Sequence, residues 1–114
     1  MMKGLGGMAD MAKMMKAAQE MQTKMTQLQE DLKSIMVTGQ SGGGLVKATA
    51  TAKGELTALD IDPSIFSAED KEVAEDLILA AIKDAQIQAQ ARAKEEMGKI
   101  AESMGLPRDM DLPM

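Results

Sequence analysis

A heptad pattern of apolar residues dominates the first third of this 114-residue chain. From Met11 onward, apolar residues recur in alternating steps of three and four, and this spacing predicts a helix with a coiled-coil seam. The seam residues are Met11, Met14, Ala18, Met21, Met25, Leu28, Leu32 and Ile35. A helix from about residue 8 to about residue 36 would be roughly 43 Å long, whereas a compact chain of this size is about 34 Å across. We therefore expect the helix to project, with its seam covered by another helix or by a second copy of the chain.

The segment after this helix predicts a hairpin of unusually small residues. Extended chain is favoured from Ile35 to Thr38, and glycines 42–44 form a turn. The sequence Thr-Ala-Lys-Gly at 51–54 suits a hairpin loop in which Gly54 adopts the left-handed conformation. A strand thus precedes and follows this loop, at about 44–51 and 55–61.

The register of this hairpin predicts which side chains share a face. Pairing Thr51 with Glu55 would place Ala50 opposite Leu56, and the rest of that face would then consist mainly of alanine. A helix can approach such a face closely. The opposite face would carry Leu45, Leu59 and Ile61. These side chains would stay exposed to water without a cover, and a second subunit is the natural cover.

A second long helix is predicted over about residues 68–104. Its first half has a firm apolar stripe, which includes Leu77 and Ile82, whereas beyond Gln86 it is mostly Ala and Gln with few large side chains. We expect the first half to pack on the core and the second half to project. Residues 1–106 would form one domain and residues 107–114, with two prolines, a C-terminal tail.

The composition makes an enzyme a poor hypothesis. The chain has no Cys and no His, which excludes thiolate nucleophiles, disulfides, most zinc sites and the usual general base at neutral pH. The segment DIDPSIFSAEDK places Asp60, Asp62 and Ser64 like a calcium loop, but it has Ile65 and Lys71 where such a loop needs Gly and Glu. We interpret it as the end of a strand and a turn, and we expect no metal, no cofactor and no catalytic residue.

Charge is distributed unevenly along the chain. The formal net charge is −5, yet residues 1–29 carry four lysines against two acidic residues. Phosphate binding depends on local positive potential, so this segment and the basic residues near the end of the second helix are candidates for contact with nucleic acid. The candidates are Lys3, Lys13, Lys16, Lys24, Arg92, Lys94 and Lys99. With one Phe and no Trp or Tyr, contact with phosphates is favoured over base stacking.

The methionines of the seam allow two interpretations. Met14 and Met21 either pack in an interface, together with Leu45, Leu59 and Ile61 between two subunits, or line an adaptable groove for a partner helix. The N-terminal residues lack the apolar run of a signal peptide, and no stretch is long and apolar enough for a membrane span. We expect a cytoplasmic protein.

Taken in order, KMMKAAQEMQTKM, SGGGLVK, a KGE hairpin, DIDPSIF and DKEVAEDLILAAIKDA resemble the YbaB/EbfC nucleoid-associated proteins of bacteria. The resemblance covers nearly the whole chain. It implies an α+β protomer, consisting of a long helix, a three-stranded antiparallel sheet with its first strand at about 35–40, and a second long helix. It also implies a tweezer-like homodimer with projecting helical arms, which binds duplex DNA and influences nucleoid organisation or gene expression.

Two departures from the family pattern are visible. Thr51 and Ala52 stand where relatives often have Asn-Gly in the hairpin, and Asp109 and Asp111 make the tail acidic, which argues against a DNA contact there. The leading hypothesis is a homodimer at the nucleoid that binds double-stranded DNA through phosphate contacts. The alternative is a protein-interaction module that clasps a replication or recombination partner between its Met-rich arms.

Overall fold

The computed structural model describes residues 2–105, with side chains for 9–67 and 69–105. Two long helices flank a three-stranded antiparallel sheet of order β1-β2-β3, which confirms the α+β fold. The elements are α1 (Met2–Ser34), β1 (Met36–Ser41), β2 (Val46–Thr51), β3 (Leu56–Ile61) and α2 (Lys71–Ser103), with single 3-10 turns at Gly42–Gly44, Pro63–Ile65 and Ala68–Asp70. Helix α1 thus begins earlier than the sequence predicted. The predicted tail, 107–114, lies outside the described residues, and the division into domain and tail stays a prediction.

The molecule is elongated because its two helices extend beyond the sheet. Its principal extents are 83 × 21 × 16 Å and its radius of gyration is 21.5 Å. A compact chain of this length would have a radius of gyration of about 13 Å. The expectation that the first helix projects is confirmed.

The core forms where the first half of α2 crosses β1 and β2. Small residues face each other there: Ala48 on β2 and both Ala81 and Ala85 on α2 are fully buried. Gly39 of β1 lies so close to α2 that a Cβ atom on it would sit 2.1 Å from the backbone nitrogen of Ala85. The small side chains therefore let the helix backbone approach the sheet backbone, as the alanine-rich strand predicted.

The hairpin loop has the predicted geometry, but the pairing of β2 with β3 beyond it is shifted from the predicted register. Gly54 has a φ of 94°, and the Thr51 N–H donates to the Glu55 carbonyl at 2.8 Å. Ala50 pairs with Leu56 as predicted. The register then shifts between Thr49 and Ala50, as at a β-bulge.

This shift overturns the predicted faces of β3. Ala48 lies opposite Leu59 and Val46 opposite Ile61, so both β3 residues share the face that α2 covers on the neighbouring strands. The prediction that they lie on the far face was wrong, because one extra residue in a strand exchanges its two faces. Leu45 was assigned to the far face as well, yet it packs, half-buried, against the core under α2, as does Ile61. The far face instead carries mostly polar residues, namely Thr38, Gln40, Lys47, Thr49 and Asp60, together with Met36 and Ala58.

The segment that resembled a calcium loop forms a strand end and a turn, as predicted. Asp62 precedes Pro63, and its carboxylate accepts a hydrogen bond from the Ser64 N–H at 2.9 Å. That backbone hydrogen bond, with one from the Ser64 hydroxyl, holds the pKa of Asp62 below its usual value. The carboxylate therefore caps a turn.

Beyond the sheet, α1 and α2 pack against each other in an antiparallel pair, which we call the stalk. Leu28 and Leu32 of the seam are buried with Ala93 and Met97 of α2 in a second apolar cluster. Met25 and Ile35 pack on the edges of this cluster. The second half of α2 does project from the sheet, as expected, but it does so along α1.

Helix α1 continues past the end of α2. Lys24 of α1 contacts Ser103 at the end of α2, and residues 9–20 are all exposed. We call residues 9–20 the arm. Its seam residues Met11 and Met14 are exposed to 65% and 71%, so no described residue covers the distal half of the seam.

Candidate nucleic-acid interface

The arm is a helix because its residues favour one. Lys, Met, Ala, Gln and Glu fill almost all of its positions, and each has a high intrinsic helix propensity. Lys13 and Lys16 are exposed on it, and the described residues give them no hydrogen bond or ion pair. Lys24 follows eleven residues after Lys13, which is about three helical turns, so the three lysines lie along one side of α1.

A groove between the two helices begins where this stripe of lysines meets the stalk. It has a volume of about 300 Å³, with Leu28 and Ile100 as its apolar lining. Lys24 of α1 and Lys99 of α2 both line it. The Lys24 Nζ donates to the Ser103 Oγ at 2.9 Å, which fixes the lysine at the end of α2. The groove thus joins the basic stripe of α1 to the basic residues of α2.

The basic residues of α2 at this groove share one carboxylate. Glu96 Oε1 lies 3.0 Å from Arg92 Nε and 3.1 Å from Lys99 Nζ. Hydrogen bonds from Lys99 and then from Arg92 hold the pKa of Glu96 below its ordinary value, so the carboxylate is ionised at neutral pH. Two of the candidate cations are therefore already paired.

The seven predicted DNA-binding residues do not all lie together. Lys94 follows Arg92 by two residues, which places it about 200° around α2 and away from the groove. The side chain of Lys3 lies outside the described residues. The basic face, as we call it, consists of Lys13 and Lys16 on the arm, Lys24 and Lys99 at the groove, and Arg92, which pairs with Glu96 of the groove.

Sequence reasoning missed the acidic residues of this face. Asp31 lines the groove, Glu96 pairs with two cations, and Glu20 lies on α1 four residues from both Lys16 and Lys24. The signal was present as spacing, because residues three or four apart on a helix are neighbours. The basic face is consequently a mixed surface, since Asp10 lies three residues before Lys13 and Glu95 lies three residues after Arg92 as well.

A second exposed feature lies at the opposite end of the molecule, on strand β3. Helix α2 contacts β1 and β2 but leaves this edge strand uncovered, and every residue of β3 except Ile61 is exposed. Leu56 and Leu59 are exposed to 45% and 43% on the sheet face that α2 packs against, where Ile78 and Ile82 of α2 are partly buried in the core. We call these four residues with Ile61 the apolar edge. Of the predicted interface residues, Leu59 and Ile61 belong to it, Leu45 packs near it, and Met14 and Met21 lie far away on α1.

Two other kinds of site are absent from the part of the chain that the structure describes. No group of three or more acidic residues there is placed to hold a metal ion. None of the described helices is both long and apolar enough to cross a membrane.

Comparison with known proteins gives a consistent result. A family model described as the YbaB/EbfC DNA-binding family matches residues 8–104. The chain is 42% identical over 106 residues to the nucleoid-associated protein Atu0095 of Agrobacterium fabrum, which covers 93% of this chain and 99% of the relative. It is 45% identical over 105 residues to a nucleoid-associated protein of Rhodopseudomonas palustris strain TIE-1, covering 92% and 99% respectively.

A solved structure has a similar fold. The crystal structure of the uncharacterized protein HP0035 from Helicobacter pylori aligns with a TM-score of 0.61 at 31% identity. The alignment covers 76% of this chain and 87% of that chain. The family and the names of the relatives favour the nucleic-acid hypothesis over the protein-partner alternative.

Proposed function

Because the chain belongs to the YbaB/EbfC DNA-binding family, we propose that it is a nucleoid-associated protein that binds duplex DNA as a homodimer. It acts at the nucleoid in the cytoplasm and influences nucleoid organisation or gene expression. Binding depends mainly on contacts with phosphates. It catalyses no reaction.

The basic face is the observation that carries this proposal. Lys13 and Lys16 project from a helix whose surroundings are open, so a duplex can approach them without displacing protein groups. Lysine is a compact, flexible charge that suits phosphate contact without sequence reading. The lone aromatic residue, Phe66, belongs to the turns at the sheet end of the molecule, which leaves no aromatic platform for base stacking on the arm.

The apolar edge supports the homodimer. An edge strand with unpaired backbone groups and exposed leucines is a surface that soluble proteins normally cover. Leu59 with Leu56 would form the centre of the interface, while Ile61, Ile78 and Ile82 would become fully buried at its side. The two arms of such a dimer extend from a common base, so both can contact one duplex.

The salt dependence of binding tests the phosphate mechanism. If Lys13, Lys16 and Lys24 of both protomers contact phosphates, six contacts give a log-log salt slope of about −5, at roughly −0.9 per contact. Affinity should then fall by about a thousandfold between 50 and 200 mM salt. Fluorescence anisotropy of a labelled random-sequence duplex, titrated at several salt concentrations, measures this slope.

Charge reversal locates the contact surface. Changing Lys13, Lys16 and Lys24 to Glu should abolish binding while the dimer remains, as judged by sedimentation equilibrium. The matched control changes Lys47, Lys53 and Lys83 to Glu, which alters the net charge equally at the sheet end of the molecule. Retained binding by the first variant, or equal loss in both, would refute the assignment to the arm. No binding by the unmodified protein even at low salt would refute the proposed function.

A further inference from the structure

Glu96 occupies an unusual place among the carboxylates of the basic face. It forms ion pairs with two cations at once, Arg92 at 3.0 Å and Lys99 at 3.1 Å. Its side chain is 18% exposed, whereas those of Arg92 and Lys99 are 42% and 53% exposed. The cations therefore reach solvent while the carboxylate sits between and below them.

Glu96, Arg92 and Lys99, the ion-pair triad, lie where their charges can act on a phosphate of bound DNA. Lys99 and Glu96 line the same groove as Lys24, at the junction of the arm and the stalk. A duplex that contacts Lys24 brings phosphates close to the triad. There, a phosphate meets two cations whose charge is half neutralised and a carboxylate that repels it.

We propose that Glu96 lowers the affinity for DNA by withholding Arg92 and Lys99 from the phosphates. The inference rests on the proposed function and names a residue that limits the affinity for DNA. DNA is then held mainly by the arm lysines and stays exchangeable, since Arg92 and Lys99 remain paired within the protein. Without Glu96, five cations per protomer would be available to phosphates; with it, three are.

The substitution Glu96→Gln isolates this effect. The amide keeps the size of the side chain and an oxygen that accepts a hydrogen bond, but it removes the negative charge. Repulsion between a carboxylate and a phosphate about 6 Å away in water corresponds to about threefold in affinity per protomer, and so to about tenfold per dimer. If the four freed cations of the dimer also contact phosphates, the salt slope should become more negative by up to about 3.6.

Two further variants separate this mechanism from a simple change in net charge. Glu72→Gln removes the same charge from an exposed position in the first turn of α2, at the sheet end, and should leave affinity and slope nearly unchanged. Adding Arg92→Gln and Lys99→Gln to Glu96→Gln should cancel the gain, because the attraction of both cations is then lost together with the repulsion from the carboxylate.

Anisotropy titrations of the four proteins, from 50 to 200 mM salt, decide between the outcomes. Tighter binding and a steeper slope for Glu96→Gln alone support the proposal. An affinity equal to that of Glu72→Gln, or weaker than that of the unmodified protein, overturns it, because Glu96 would then be inert or would position the cations for DNA. Circular dichroism melts confirm that each variant is folded. Failure of the unmodified protein to bind refutes the proposed function itself and is distinguishable from all of these results.

Discussion

Replacing Gly39 with alanine tests whether the close contact between β1 and α2 contributes to the free energy of unfolding. The new Cβ would lie 2.1 Å from the Ala85 nitrogen and 2.6 Å from the Ala81 oxygen, whereas ordinary contact begins at 3.4 Å. Both neighbours are backbone atoms of a helix and cannot rotate away, so α2 must shift by more than about 1 Å relative to the sheet. Overpacking typically costs about 1–3 kcal/mol, and we expect the upper end, or about 12 °C in Tm.

Urea unfolding followed by circular dichroism measures this cost directly. The matched control is Gly43→Ala, because Gly43 has a φ of 67° and open space around its missing Cβ. That variant should lose only about 1 kcal/mol, through its left-handed backbone. Both variants are compared at one protomer concentration, since dimerisation makes stability depend on concentration. A loss for Gly39→Ala no larger than that for the control would refute the argument from close packing.

Three further predictions follow from the same structure. Leu59→Asp should shift a dimer to monomer at micromolar concentration while helix content is unchanged, as measured by sedimentation equilibrium, because it places a charge at the centre of the apolar edge. Leu32→Ala should destabilise the protein by about 2–5 kcal/mol, since the side chain is fully buried in the stalk. Met11→Ala on the exposed arm should cost about 0.5 kcal/mol or less. Urea unfolding measures both free energies. The pKa of Glu96 is lowered from 4.5, so its ion pairs stabilise the protein above that pH and lose their effect as the pH falls through the lower folded value. Glu96→Gln should therefore reduce the difference in unfolding free energy between pH 7 and pH 3, and an unchanged difference would contradict the ion-pair geometry.

The heptad seam explains why the elongated shape was predictable. Steps of three and four over more than three heptads specify a helix too long for a compact body. The extent of its cover was not predictable in the same way. Leu28 and Leu32 are buried by α2, while Met11 and Met14 belong to the same pattern and are exposed. The difference lies in where α2 ends, and the seam itself carries no information about that.

Alanine was underestimated in the second helix. Large apolar residues become rare beyond Gln86, yet Ala89, Ala93 and Ala101 are almost fully buried. A small side chain packs well where a neighbouring helix can come close, so the absence of large residues indicates a short distance between elements as readily as it indicates exposure. The same argument applies to Gly39 and Ala48 in the sheet, where the small face was interpreted correctly.

The bulge in the hairpin could not be predicted from sequence patterns. The loop and the first pair, Ala50 with Leu56, were predicted, but β3 alternates too weakly between apolar and polar residues to specify a register. Its Thr57 and Ala58 suit either face. Only the packing of α2 on β1 and β2 separates the two registers, because it decides which face of the sheet is buried, and Ile61 of β3 packs against the core on that face.

The basic residues of the interface could be predicted from the distribution of charge along the chain. Their arrangement in space could be predicted only from helical geometry. Lys94 could have been separated from Arg92 by counting two residues along a helix. The pairing of Glu96 with Arg92 and Lys99 could have been inferred from spacings of four and three. What spacing alone could not give is the meeting of Lys24 with Lys99, since it depends on how far α2 extends along α1.

The net charge of −5 does not by itself conflict with DNA binding, because the largest local excess of acidic residues lies far from the arm, whose own Lys13 and Lys16 are matched by Asp10 and Glu20. Residues 64–91 carry six acidic residues against two lysines, and they lie over the sheet. From Lys16 to the sheet end of α1 there are about 18 residues, or roughly 27 Å of helix. The Debye length at physiological salt is about 8 Å, so repulsion from the sheet end is largely screened before it reaches the arm. Affinity is thus set by the charges within a Debye length of the bound phosphates, and a carboxylate such as Glu96 counts there while Glu72 does not.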